Sequence, residues 1–214
     1  MTTEQSDRGQ SRSARPTLLV SLGTSSAIVP EAFLLPGTDF RAVHVITTDK
    51  TDVGLVEVWF AERAPGVPLS VTRVEGFVDF ISEQDHFRFE EVLYRWILEL
   101  EVGPEDRFLC LSGGFKTMSA SMQKAAAVLG AAEVFHVLCD LAGNQQPKTA
   151  VEIEAARAEG HLHWIRLGPE SGWPQLRTAS ATEYPLETVK ADGCVRSVRA
   201  PDSSFRDRLR GIVE

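Results

Sequence analysis

Between positions 17 and 139 the sequence switches repeatedly between two hydrophobic periods. Short runs rich in apolar and β-branched residues, 17–22 (TLLVSL), 42–47 (AVHVIT), 69–74 (LSVTRV), 107–111 (RFLCL) and 133–139 (EVFHVLC), have the length and composition of strands. Between them apolar residues recur at helical spacing. Ile28, Val29, Ala32 and Phe33 do so within 26–35, and Leu55, Val56, Trp59 and Phe60 within 51–63. Phe89, Val92, Leu93, Trp96, Ile97 and Leu100 form one face of 85–101, and Met118, Met122, Ala125, Ala126 and Leu129 one stripe of 116–129. Pro30 is predicted in the first turn of its helix, where a missing N–H does no harm. The nearly unbroken apolar run 107–111 suits a central parallel strand covered on both faces. This alternation predicts an α/β fold, a Rossmann-like doubly wound, mainly parallel sheet with helices on both faces.

After Asp140 the pattern weakens. A polar loop over 141–149 precedes a predicted helix over 150–159 and a strand over 161–167 (HLHWIRL). Residues 168–182 are turn-rich. A terminal amphipathic helix is predicted over 203–213, carrying Phe205, Leu209, Ile212 and Val213, and no element is predicted between 183 and 202. Residues 141–214 hold too few large apolar side chains for a core of their own. They are expected to be C-terminal extra elements on the 16–140 domain, placed as a lid or dimer arm. Residues 1–15 are polar and lack the apolar stretch of a secretory signal, so they read as a disordered leader.

Composition narrows the function classes. The net charge of −8 over 214 residues argues against long nucleic acid, which needs broad basic faces. A small anion remains possible, since backbone N–H groups and one or two cations suffice to hold it. No apolar run approaches the roughly 20 residues needed to cross a bilayer. Cys110, Cys139 and Cys194 form no CxxC pair, which argues against zinc or redox chemistry and for a reducing cytoplasm. The five histidines show no HExxH spacing. His161 and His163 read as strand surface rather than metal ligands, and His44 and His136 as hydrogen-bonded core histidines. Glu90 and Glu91 read as a solvated helix face, and the tryptophans as core. No cofactor or metal is expected.

Ligands of doubly wound sheets bind at the carboxyl ends of strands, near the switch point. Two strand-to-helix turns stand out there. The sharper is Ser112–Ser119 (SGGFKTMS). Gly113 and Gly114 let the backbone approach a ligand, the following helix start presents unpaired N–H groups, Lys116 adds a cation, and Thr117 and Ser119 add hydroxyls. This suits a phosphodiester, although the spacing is neither Walker A nor GxGxxG. The bland alternative is a tight turn with Thr117 or Ser119 as helix cap and Lys116 solvated. The other turn, Gly23–Thr24–Ser25–Ser26, offers two hydroxyls, either of which is equally an N-cap. It lacks the GxSxG elbow of a serine hydrolase.

In this order the segments GTSSAIVPEAF (23–33), AVHVITT (42–48) and SGGFKTMS (112–119) resemble the CRISPR-associated Rossmann-fold (CARF) superfamily, and within it the stand-alone ring-nuclease-type proteins. The stretch 79–93 (DFISEQDHFRFEEVL) sits where that family carries a polar, ligand-facing loop. The resemblance spans about 17–140. Phe115 stands where the family usually has Arg, and Ser26 where it has Pro. The resemblance implies a homodimer holding a cyclic oligoadenylate, chiefly cyclic tetra-adenylate, on its two-fold axis. It also implies metal-independent cleavage by in-line attack of a ribose 2′-hydroxyl, which would switch off CRISPR antiviral signalling. On that basis Lys116 and Ser25 are the expected catalytic pair. Gly23, Thr24, Ser26, Thr47, Thr48, Ser82, Asp85, Arg88, Gly113, Gly114, Phe115, Thr117 and Ser119 are the expected ligand contacts. The competing readings are a sensor or sponge that binds the ring without cutting it, and an unrelated Rossmann-like nucleotide enzyme.

Overall fold

A computed structural model describes residues 16–77, 80–142, 145–174, 176, 179–201 and 205–213. The predicted leader and the side chains of Ile212 and Val213 lie outside the described set. In chain order the elements are β1 (Thr17–Leu22), α1 (Ile28–Phe33), β2 (Ala42–Thr48), α2 (Gly54–Arg63), β3 (Leu69–Val74) and α3 (Glu83–Glu99). A 3₁₀ turn, Pro104–Asp106, leads into β4 (Arg107–Cys110), α4 (Lys116–Leu129) and β5 (Ala131–Cys139). The chain ends with α5 (Ala150–Ala158), β6 (Leu162–Glu170), β7 (Glu187–Asp192), β8 (Val195–Arg199) and α6 (Phe205–Val213). Each sequence-predicted helix and strand has its counterpart within a few residues. The exceptions are β7 and β8, which the hydrophobic pattern does not announce.

All eight strands join one sheet in the order β6-β5-β4-β1-β2-β3-β8-β7. The pairs from β5 through to β8 are parallel, and only the edge strands β6 and β7 run antiparallel to their neighbours. The chain winds outward from β1 through β2 and β3, returns, and winds the other way through β4 and β5. The switch point therefore lies between β1 and β4. This is a Rossmann-like, doubly wound arrangement. The C-terminal residues contribute β6 to one edge and the β7–β8 hairpin to the other.

Every residue of β1 is buried, as a central strand covered on both sides requires. One layer packs Leu19, Ile46 and Leu109 of the sheet against Phe89, Trp96, Met118, Met122 and Phe205 of α3, α4 and α6. The other packs Leu18, Val20, Val43 and Val45 against Val29, Val56, Trp59 and Ile153 of α1, α2 and α5.

α6 is fixed to α3 by carboxylates. The backbone N–H groups of Phe205 and Arg206 donate to Glu91 at 2.9 and 3.0 Å, and Arg206 and Lys124 pair with Glu90 at 3.3 and 2.9 Å. Glu90 and Glu91 are thus buried (0% and 1% exposed), which corrects the solvated-face reading. Burial of carboxylates is tolerable here because helix N–H donors and cations replace their water.

Candidate functional site

Adjacency of β1 and β4 places the two glycine-bearing turns against each other at the carboxyl edge of the sheet. A Cβ on Gly23 would lie 2.7 Å from the Gly114 Cα, so only two glycines allow this approach. A Cβ on Gly113 would meet the Ser21 carbonyl oxygen at 1.8 Å, and Gly114 has φ +83°. The turn is then clamped from several sides. The Ser21 hydroxyl donates to the Gly113 carbonyl at 3.0 Å, and the Ser119 hydroxyl to the Leu111 carbonyl at 2.7 Å. Ser112 Oγ accepts the Val137 N–H and lies 2.8 Å from His136 Nδ1.

α4 starts at this turn with Phe115 as its N-cap, and no side chain accepts from its first N–H groups. Those donors form the positive end of the helix dipole, where an anion is favoured. Lys116 is exposed at the first helical position. Ser25 Oγ and Thr117 Oγ1, one from each turn, are buried hydroxyls without a hydrogen-bond partner. An unsatisfied buried hydroxyl costs about 1–3 kcal/mol. Two of them flanking one crossing mark a place where polar capacity is left open. A cavity of about 240 Å³ lies beside it, lined by Gly23, Thr24, Thr48, Lys50, Thr51, Asp52 and Phe115.

Other sequence-predicted residues fall elsewhere or serve the fold. Thr47 is fully buried and its hydroxyl donates to the Leu22 carbonyl at 2.7 Å, so it ties β2 to β1. Ser82 and Asp85 form a capping box at the start of α3: Asp85 N–H donates to Ser82 Oγ, and Ser82 N–H to the Asp85 carboxylate. Arg88 stacks over Phe77 and lines a separate cavity of about 330 Å³ with Gln84, Phe87, Glu91 and Arg206. Ser119 is committed to backbone carbonyls of its own turn. Neither Ser25 nor Ser26 caps α1 by its side chain, because the N-cap is Ala27. Phe115 packs its ring against Phe80 at 5.6 Å between centroids.

His44 and His136 are hydrogen-bonded, to Ser70 and Ser112 respectively. Burial, with the Arg196 charge nearby, pushes the His44 imidazole down to about 4. His161 and His163 both bond Asp140, at 2.8 and 2.9 Å. Glu31 on α1 is the Glu of the 23–33 segment, to which the sequence assigned no role. It is fully buried, neither carboxyl oxygen has a partner, and desolvation raises it to about 7. Lys50 was also missed. No motif surrounds it, and only the fold carries the end of β2 to the cavity.

The sequence matches the family model described as CRISPR-associated protein NE0113 over residues 34–164, more than half of the chain. The chain belongs to this CRISPR-associated family. The matched stretch runs from the end of α1 into β6 and includes the whole Ser112–Ser119 turn. The Gly23–Phe33 crossing lies before it, so the family match and the β1 turn are independent observations. No curated protein matches the sequence significantly. Among the described residues, no helix of this NE0113-family protein is long and apolar enough to cross a membrane.

Proposed function

We propose that this CRISPR-associated protein is a ring nuclease of CARF type: it binds cyclic oligoadenylate, chiefly cyclic tetra-adenylate, across a homodimer and linearises it. One observation carries the reading. At the switch point the backbones of Gly23 and Gly114 touch, so an uncapped helix start, an exposed ammonium and a cavity share one crossing. Such a place suits a phosphodiester better than a neutral ligand. A four-fold repeating ring contains a two-fold axis, so two identical subunits can each hold half of it.

The chemistry asked of the protein is modest. A ribose 2′-hydroxyl attacks the adjacent phosphorus in line and the 5′-oxygen departs. The 2′-oxygen loses its proton to solvent and the 5′-oxygen gains one, leaving a 2′,3′-cyclic phosphate and a 5′-hydroxyl. The nucleophile belongs to the RNA, so the protein contributes orientation and stabilisation of charge on the phosphoryl oxygens. Lys116 and the first N–H groups of α4 supply that stabilisation. Ser25 and Thr117, whose hydroxyls lack partners, bond the ribose or phosphate once small side-chain rotations turn them outward.

Incubation of the purified protein with labelled cyclic tetra-adenylate tests the reading. A linear product ending in 2′,3′-cyclic phosphate is expected. Ring retained intact on the protein identifies a sensor or sponge instead. Absence of any binding, with mononucleotides bound better, overturns the proposal in favour of an ordinary nucleotide enzyme.

A further inference from the structure

Resting on the reading above, we infer that Lys50, in the β2–α2 loop, is a phosphate-gripping residue of the same site, so that the ligand is held by cations from two loops rather than one. Lys50 and Phe115 both line the cavity beside the Gly23–Gly114 crossing, one from the β2 side and the other from the α4 side. Where α4's N-cap could carry a cation into this space, it carries an aromatic ring packed on Phe80. The positive charge of the cavity wall comes from Lys50.

The backbone around Lys50 is held unusually firmly for an exposed loop. The Arg73 guanidinium donates to the carbonyls of Asp49 and Thr51, the residues on either side, at 3.1 and 2.6 Å. Asp49 N–H donates to the Phe77 carbonyl at 2.9 Å, and Thr48 and Thr51 join their hydroxyls at 3.1 Å. A lysine serving only solubility needs no such fixing. A lysine that must present its ammonium at one place does, because a pre-set backbone lowers the entropy lost on binding. No ion pair engages Lys50 among the described residues. The acidic neighbour that shares the cavity, Asp52, accepts the Gly54 N–H at 2.9 Å and sits at the N-terminus of α2, where helix donors offset its charge. Asp49 flanks the loop as well, but its backbone rather than its carboxylate makes the contacts above.

The test measures binding of a 2′-O-methylated cyclic tetra-adenylate, which lacks the nucleophile, at several salt concentrations. Lys50→Ala is expected to weaken binding by roughly tenfold or more. It should also flatten the salt dependence by about 1.4 in log–log slope, two contacts per dimer at roughly 0.7 each. Lys50→Arg should keep both. Adding Phe115→Arg to Lys50→Ala places a guanidinium on the opposite wall and should recover part of the affinity and the slope. Wild-type binding with an unchanged affinity and slope in Lys50→Ala overturns the role of Lys50 and leaves the ring-nuclease reading standing. Failure of the wild type itself to bind the ring overturns both.

Discussion

Two helices on the same face of the sheet begin in opposite ways. α3 closes its own N-terminus, with Ser82 and Asp85 exchanging hydrogen bonds across the first turn. α4, which follows β4 three strands away, starts with a phenylalanine at the cap, no side-chain acceptor and an unpartnered hydroxyl at Thr117. A chain able to build a complete cap at one helix leaves the other open. The open one lies at the switch point, where the Gly23 and Gly114 backbones touch. Of these two helix starts, the closed one belongs to the scaffold and the open one to the site.

The comparison breaks most severely if the crossing itself is filled. Gly113→Ala puts a methyl 1.8 Å from a backbone oxygen that cannot step aside without moving β1. We expect a loss of about 4 kcal/mol or more, read by urea denaturation; a loss below about 1 kcal/mol would show that the turn is looser than described.

Next in size, Lys116→Ala should lower ring cleavage by about 100-fold, within the range for removing one preorganised charge donor. Because Lys116 is exposed, the melting temperature should not change. Unchanged turnover would remove it from the reaction.

Glu31 sharpens the contrast from another side, as an incomplete buried group on the scaffold. Its carboxyl is raised from 4.5 to about 7, so between those values the folded chain holds a proton that the unfolded chain has released. Stability therefore falls as pH rises through that window, by roughly 2–3 kcal/mol in total. His44 acts oppositely. Its folded value is lowered from 6.5 to about 4, so the unfolded chain binds the extra proton and stability falls as pH drops. In the wild type the two slopes oppose each other between pH 4.5 and 6.5. Denaturation midpoints of Glu31→Gln should instead climb with pH over that range, and the variant should be the more stable at pH 7.5. A curve parallel to wild type would refute the assignment.

The smallest effects test the helix starts directly. Ser82→Ala should cost about 1 kcal/mol of stability and leave ring binding alone. Thr117→Val removes an unsatisfied hydroxyl, so the free protein should be no less stable while ring binding weakens. If Ser82→Ala harms binding and Thr117→Val does not, the roles of the two helices are reversed.

The fold was largely legible because its central strands and helices each bury a face, and burial imposes a period. β7 and β8 escaped for the same reason. Every residue of β7 is exposed, and β8 (VRSVR) offers a single fully buried side chain, Val198. Glu90 and Glu91 were misread because a carboxylate pair looks solvated until α6, far along the chain, supplies its donors. At the site, paired glycines announced the Gly113–Gly114 turn. The bond from Thr47 to the Leu22 carbonyl was not legible, because a strand-end hydroxyl looks alike in sequence whatever it faces. Lys50 had no signal in one dimension, since its meaning comes from the strand order.

The β8 pairing also bears on how the protein is made. Val71 pairs with Val195, 124 positions later (195 − 71). At a synthesis rate of about 5–20 residues per second, the free edge of β3 waits roughly 6–25 seconds for its partner to be translated. Throughout that interval a parallel edge strand stands open to other nascent chains. Expression truncated before residue 195 should therefore yield inclusion bodies rather than a smaller working protein.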